Sequence, residues 1–224
     1  EIKECDWSSD VCSSDLIYML ENTPDWDKIP TAWIDQVLWL PNPGIGAWAK
    51  ACCFDEALHV RLFAREPSPL ARFTGENDMV CLDSCLEFFL CPLRNDSRYF
   101  HFEFNPNGAL YLGFGHDRVD GVRQIVQDAN RLFCVQKLAE NDIWGISFCI
   151  PFSFLKLYMP EFSVQNGLSL RGNFYKCGEE TQTPHYLAWN RVKTASPDFH
   201  RPEDFGTLFF TSFCEKKAGI FGEA

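Results

Sequence analysis

The chain has 224 residues and carries 31 acidic against 20 basic side chains, a net charge of −11. With no basic run it lacks the Lys/Arg clusters that a phosphate backbone needs, and no apolar run reaches the ~18 residues of a membrane span, so neither nucleic acid nor membrane is an expected partner. The length suits one domain with a sizeable core.

In chain order, residues 6–16 come first and read DWSSDVCSSDL, polar, serine-rich and without an apolar period. All eleven match the in-frame translation of a common synthetic sequencing adapter. Residues 1–16 are therefore expected to be an adapter artefact, disordered, with residues 17–224 forming the single domain. Cys5 and Cys12 fall in this segment, which leaves nine of the eleven cysteines. Nine is odd, no C-x-x-C pair occurs, and Cys81-x-x-x-Cys85 alone falls short of a zinc pattern. Reduced, core-filling thiols in a cytoplasmic protein are expected. Secretion stays open, because the native N-terminus is expected to be missing.

Residues 17–30 are turn-rich, a lead-in whose Trp26 can plug one end of a core, and 33–40 is the first strand candidate. Pro41-Asn42-Pro43-Gly44 breaks the chain. Residues 47–65 form a hairpin with Asp55-Glu56-Ala57 at its tip. Its second arm puts Leu58, Val60, Leu62 and Ala64 on one face. Residues 66–78 are a loop and 79–91 a strand. Residues 99–104 alternate most cleanly, with Phe100, Phe102 and Phe104 inward and Tyr99, His101 and Glu103 outward. Asn105-Pro106-Asn107-Gly108 then turns the chain into a return arm, 109–114.

Residues 116–131 are a loop or short helix, and 132–138 with 143–150 an antiparallel pair. Pro151-Phe152-Ser153-Phe154-Leu155 is a tight turn or a single helical turn. Residues 168–176 are a strand with Arg171, Asn173 and Tyr175 on one face. A short strand (Tyr186, Leu187, Trp189) leads to the loop Pro197-Asp198-Phe199-His200-Arg201-Pro202. Gly206 then frees the backbone to turn into the closing strand, 207–213. About ten short strands with little helix predict an all-β fold, a two-sheet antiparallel sandwich.

Four stretches, in order, carry a resemblance: Asp83-Ser84-Cys85-Leu86-Glu87-Phe88-Phe89; residues 100–105 with the N-x-x-G turn; Ile143-Trp144-Gly145 through Ile150-Pro151-Phe152; and Trp189 through Pro202-Glu203-Asp204-Phe205-Gly206-Thr207-Leu208. Together the set resembles the family 9 carbohydrate-binding modules. The resemblance implies a sandwich that binds sugar ends such as those of plant polysaccharides, often attached to xylan-degrading glycoside hydrolases and often holding structural calcium. It places Glu87 at the glutamate that bonds sugar hydroxyls, His101 at an arginine position, Asn173 at an amide, and Phe199 at the second of two clamping tryptophans. No aromatic occupies residues 80–82, where the first is expected. One ring with a carboxylate holds a sugar only weakly.

The expectation is thus a non-catalytic module binding carbohydrate through Glu87, His101, Asn173 and Phe199. Three of them also have a plainer reading: Glu87 as a solvated strand carboxylate, His101 as a hydrogen-bonded structural histidine, Phe199 as a plug for its own loop. The alternatives are a sandwich that lost its sugar site and serves as a structural or protein-interaction domain, and a glycoside hydrolase using Glu87 with Glu103 or Asp83. Asp198, His200, Glu203 and Asp204 are the candidate calcium donors. Neither the sugar nor the oligomeric state can be read from the chain.

Overall fold

The computed structural model describes residues 15–213; residues 1–14, most of the adapter-like segment, and Cys214 lie outside them. Leu16, counted above with the artefact, opens strand β1 (Leu16–Met19) and pairs with Phe209.

The all-β expectation holds. The hairpin forms as read: β4 (Gly46–Phe54) and β5 (Ala57–Arg65) meet at Asp55 and Glu56, both with left-handed φ (48° and 55°), as a two-residue hairpin turn requires. Leu58, Val60, Leu62 and Ala64 are buried. The strands β6 (Ser84–Cys91), β7 (Tyr99–Phe104), β8 (Leu110–Gly115), β11 (Ile143–Pro151) and β12 (Ser169–Gly178) fall close to their predicted positions. Residues 79–91 do not form one strand, however. Val80–Leu82 coil into a 3-10 turn, and Asp83 then fixes the preceding loop by accepting the Arg72 and Phe73 amides at 2.7 and 3.0 Å. Residues 33–40 likewise give only two two-residue strands, β2 (Ala32–Trp33) and β3 (Gln36–Val37). The helix after β11, Phe152–Tyr158, has seven residues, longer than the single turn expected, and buries Phe152, Phe154 and Leu155.

Two separate antiparallel sheets are not found. Eleven strands lie in one hydrogen-bonded path running β10–β11–β5–β4–β1–β14–β12–β6–β7–β8–β9, where β9 is Val122–Arg123, β10 is Gln136–Glu140 and β14 is Gly206–Ser212. The path is continuous because β1 runs parallel to both β4 and β14 and stitches the halves together. Leu-Ile-Tyr-Met is too short to show a period, so this strand was hidden in the lead-in. The sheet curls back on itself: Phe102 and Phe104 of β7 lie 5.7 and 4.8 Å, ring to ring, from Phe148 of β11. The apolar core fills the space between.

At one end a polar clamp joins the halves. Lys176, fully buried on β12, lies 3.2 Å from a carboxylate oxygen of Glu66, beyond β5, and 2.8 Å from His185 Nε2. Glu66 also accepts from Ser84 Oγ at 2.8 Å and Trp144 Nε1 at 3.1 Å. Each buried charge is therefore partnered, as burial demands.

Candidate functional site

Strands β6 and β7 are buried on both faces. The inner residues (Leu86, Phe88, Leu90, Phe100, Phe102, Phe104) join the main core, while Cys85, Phe89, Cys91 and Tyr99 belong to a second cluster on the outer face. Loops cover that face, bringing Trp39, Phe73, Val192, Phe199 and Phe205 onto it. Where the cover stops, a cleft of about 240 Å³ opens over the sheet, lined by Glu87, His101, Glu103 and Tyr111 from below, by Trp39, Phe199 and His200 from the loops and by Tyr186 from the short strand His185–Ala188, with Arg118 and Arg123 on its rim.

The floor is set by strand register. Glu87 stands directly beside Glu103 across β6 and β7, and beside Tyr175 across β6 and β12. Burial, and after it the neighbouring Glu103 charge, push the Glu87 carboxyl well above the usual range, with a bond to Cys177 and the charge of Lys176 acting the other way. His101 Nδ1 lies 2.7 Å from Glu103 Oε1, which fixes the ring. Its far edge reaches over Gly113, where a Cβ would meet Nε2 at 1.9 Å, so only glycine leaves room for it. Tyr111 lies against the same imidazole, centroids 5.5 Å apart, and takes a bond from Arg123 Nε at 3.1 Å.

The roof is an aromatic stack. Phe199 lies flat on Tyr175, centroids 4.1 Å apart and planes 9° apart, and is only 8% exposed. Trp39 leans on Phe199 at 5.5 Å and on Tyr186 at 5.4 Å, and its indole N–H donates to the Thr194 carbonyl at 2.8 Å. Trp39 keeps part of its surface open and has a left-handed φ of 51°. His200 Nδ1 lies 2.8 Å from the Tyr99 hydroxyl. Burial first, then the nearby His101, lower its pKa to about 4.

Of the four sequence-predicted residues, three line the cleft: Glu87, His101 and Phe199. Asn173 does not. Its amide nitrogen donates to the Tyr175 hydroxyl (3.0 Å) and the Asn190 carbonyl (2.8 Å), and its oxygen accepts the Asn190 and Phe174 amides at 2.9 and 3.0 Å. Its bonding capacity is filled, two bonds pinning the Asn190 backbone of the loop that carries Phe199 and two staying on its own strand, while the Phe199 carbonyl accepts from Tyr175 at 3.2 Å. Trp39 and Tyr111 reach the cleft without having been picked out, and Glu103, named above only as Glu87's partner in the hydrolase alternative, reaches it with them. The outward parity of Glu103 with His101 was the one signal present. Trp39 gave none, since a left-handed residue after a two-residue strand follows no period.

The candidate calcium donors are not brought together. Asp204 accepts the Lys193 amide at 2.9 Å, Asp198 accepts the His200 amide at 3.0 Å, and Glu203 pairs with Arg201. Calcium needs six or more oxygens, and these residues do not fit it. Gly206 also differs from its expected role. It starts β14, and a Cβ there would meet the Trp189 ring at 2.6 Å, so it makes room for a ring rather than a turn. Among the described residues no helix is long and apolar enough to cross a membrane.

The profile of the family described as carbohydrate-binding family 9 matches residues 19–210. Among solved structures, a candidate carbohydrate-binding protein of Bacteroides uniformis is similar at 28% identity and a TM-score of 0.72, over 87% of this chain and 97% of that one. A family 9 module of Caldicellulosiruptor kristjanssonii, solved with glucose and with cellotriose, is similar in fold at 13% identity and a TM-score of 0.60. Those matches cover 91% and 93% of this chain and 100% of each module chain. A search of the curated proteins finds no match.

Proposed function

The chain belongs to carbohydrate-binding family 9, and from that premise we propose that it is a non-catalytic module holding the end of a mono- or oligosaccharide in the cleft over β6, β7 and β8. One observation carries the reading. The cleft combines hydroxyl-directed groups on its floor (Glu87, His101, Glu103) with rings on its walls (Trp39, Tyr111, Tyr186). Sugars need both, because their C–H faces lie on rings while carboxylates and imidazoles bond the hydroxyls in fixed directions. The volume, below that of typical drug-sized pockets, suits one or two sugar rings. The glucose and cellotriose bound by the Caldicellulosiruptor module support gluco-configured ends of plant polysaccharide, with xylan a second candidate and an accessory role beside a glycoside hydrolase.

In this reading Trp39 is the stacking ring missing from residues 80–82. Phe199 braces it, having given one face to Tyr175. Glu87 and His101 take hydroxyls, and Asn173 positions the loop. The curled sheet serves as the family's sandwich, joined along one edge by β1. The eight described cysteines are free thiols, which supports a reducing, cytoplasmic setting.

Calorimetry with glucose, cellotriose and xylobiose tests the proposal. Binding is expected with Kd on the order of 1 mM, about −4 kcal/mol. Glu87→Gln should weaken it roughly tenfold, the upper end of what one hydrogen bond contributes. Absence of binding to folded protein at millimolar sugar would sink the reading and favour an interaction domain. Turnover of aryl glycosides that vanishes in Glu87→Gln would instead favour a hydrolase.

A further inference from the structure

Beneath the cleft floor two cysteines and Glu87 converge. Cys85 and Cys177 are direct partners in the β6–β12 register, and Glu87, two residues on, shares their face. The two sulfurs and a carboxylate oxygen of Glu87 all lie within 4.8 Å of one another, and Cys177 Sγ is 3.0 Å from Glu87 Oε1. We propose that Cys85, Glu87 and Cys177 form a binding site for a thiophilic divalent cation of the zinc class.

Four points on the page favour it. With zinc bonds of about 2.0–2.3 Å, tetrahedral ligand atoms stand roughly 3.3–3.8 Å apart, so these donors, all within 4.8 Å of one another, need shifts of about an ångström to enclose an ion. Two sulfurs and one oxygen select a soft or borderline metal over calcium or magnesium. The ligands sit on two adjacent central strands rather than on loops, which keeps them in register. Glu87 lines the cleft together with Cys81 and Glu103, so the ion has a route in past the Glu87 carboxyl. Binding displaces both thiol protons to solvent, and the Glu87 carboxyl proton with them wherever that group carries one, leaving one M²⁺ held by two thiolates and a carboxylate. No local cysteine spacing announces the site, because its sulfurs come from strands far apart in sequence.

The metal site stands without the sugar reading. A link between the two rests on that reading: a Glu87 oxygen held by metal is lost to a sugar hydroxyl, so loading should weaken sugar binding.

The test uses the full chain, reduced, carrying Cys134→Ser to remove the exposed thiol among the described residues, with Cys5, Cys12 and Cys214 also changed to Ser. Titration with Co²⁺ should give one equivalent with a thiolate-to-cobalt charge-transfer band that Zn²⁺ bleaches. Cys85→Ser and Cys177→Ser should each abolish the band. Glu87→Gln, which leaves the thiols and the core in place, should keep it while weakening affinity at least tenfold, and it remains informative if a serine variant fails to fold by circular dichroism. The site is overturned by an absence of stoichiometric cobalt binding, or by a band unchanged in both serine variants. It is also overturned by a Cys85–Cys177 disulfide, two hydrogens lighter by mass, forming in the presence of metal. Repeating the glucose titration with zinc bound reads the link separately: unchanged sugar affinity overturns the coupling alone, and absent glucose binding in the metal-free protein overturns the sugar reading alone.

Discussion

The two faces of β6 and β7 are built from alternate residues of the same strands and are equally buried, yet they do different work. The inner face is hydrocarbon throughout: Leu86, Phe88 and Leu90 against Phe100, Phe102 and Phe104, each fully shielded. The outer face carries Cys85, Glu87, His101 and Glu103 among its rings and is closed by loops drawn from both ends of the chain. An apolar face gains free energy from whatever shields it. A polar face must be given specific partners, so its cover is shaped residue by residue: Glu103 for His101, Asn173 for the Asn190 backbone, Tyr99 for His200. Stability is concentrated on the inner face, and selective recognition can come only from the outer.

Substitutions that separate the faces should show this, the largest effect first. Phe102→Ala, which empties a site between the Phe133 and Phe148 rings, should cost about 3–5 kcal/mol in denaturant unfolding. Sugar affinity of the molecules that remain folded should not change. An affinity loss beyond the unfolded fraction would mean the two faces are coupled.

Acid should act chiefly through the outer face. His200 is held neutral by burial, with His101, Glu103, Asp198 and Arg118 as its charged neighbours. Its folded pKa of about 4 lies below the ordinary imidazole value of 6.5, so as pH falls the unfolded chain takes up the proton first. Stability should therefore be lost between about pH 6.5 and 4, by about 3 kcal/mol once the window is crossed. His59 and His185 are lowered in the same direction, chiefly by burial, so the informative quantity is the difference between wild type and His200→Asn across that window. Parallel curves would show that His200 is not the group responsible.

The smallest effect tests the roof. Trp39→Ala should weaken sugar binding by about 1 kcal/mol, five- to tenfold, with little change in unfolding midpoint because the indole is only partly buried. An unchanged Kd would move the stacking role to Tyr111 or Tyr186.

Much of the fold can be read in the chain. The hairpin at Asp55-Glu56 and the alternation through 99–104 are local signals of period two, and both formed as expected. β1 could not be read, because four residues carry no period and their parallel partners are distant. Of the cleft, Glu87, His101 and Phe199 were reached through motif resemblance. Trp39 was not, and Asn173 was given an open amide that the structure shows fully engaged.

The sequence by itself determined that the chain is all-β, which face of its longer strands is apolar, and its family, because periodicity and ordered motifs are local and survive without coordinates. Only the tertiary structure decided that the sheet is single and curled, that the outward residues of β7 are buried, and that Glu87 faces Glu103 on one side and meets the Cys85–Cys177 pair on the other. Those are matters of register between strands and of loops closing over them, and pairing between distant segments leaves no mark in the spacing of either one.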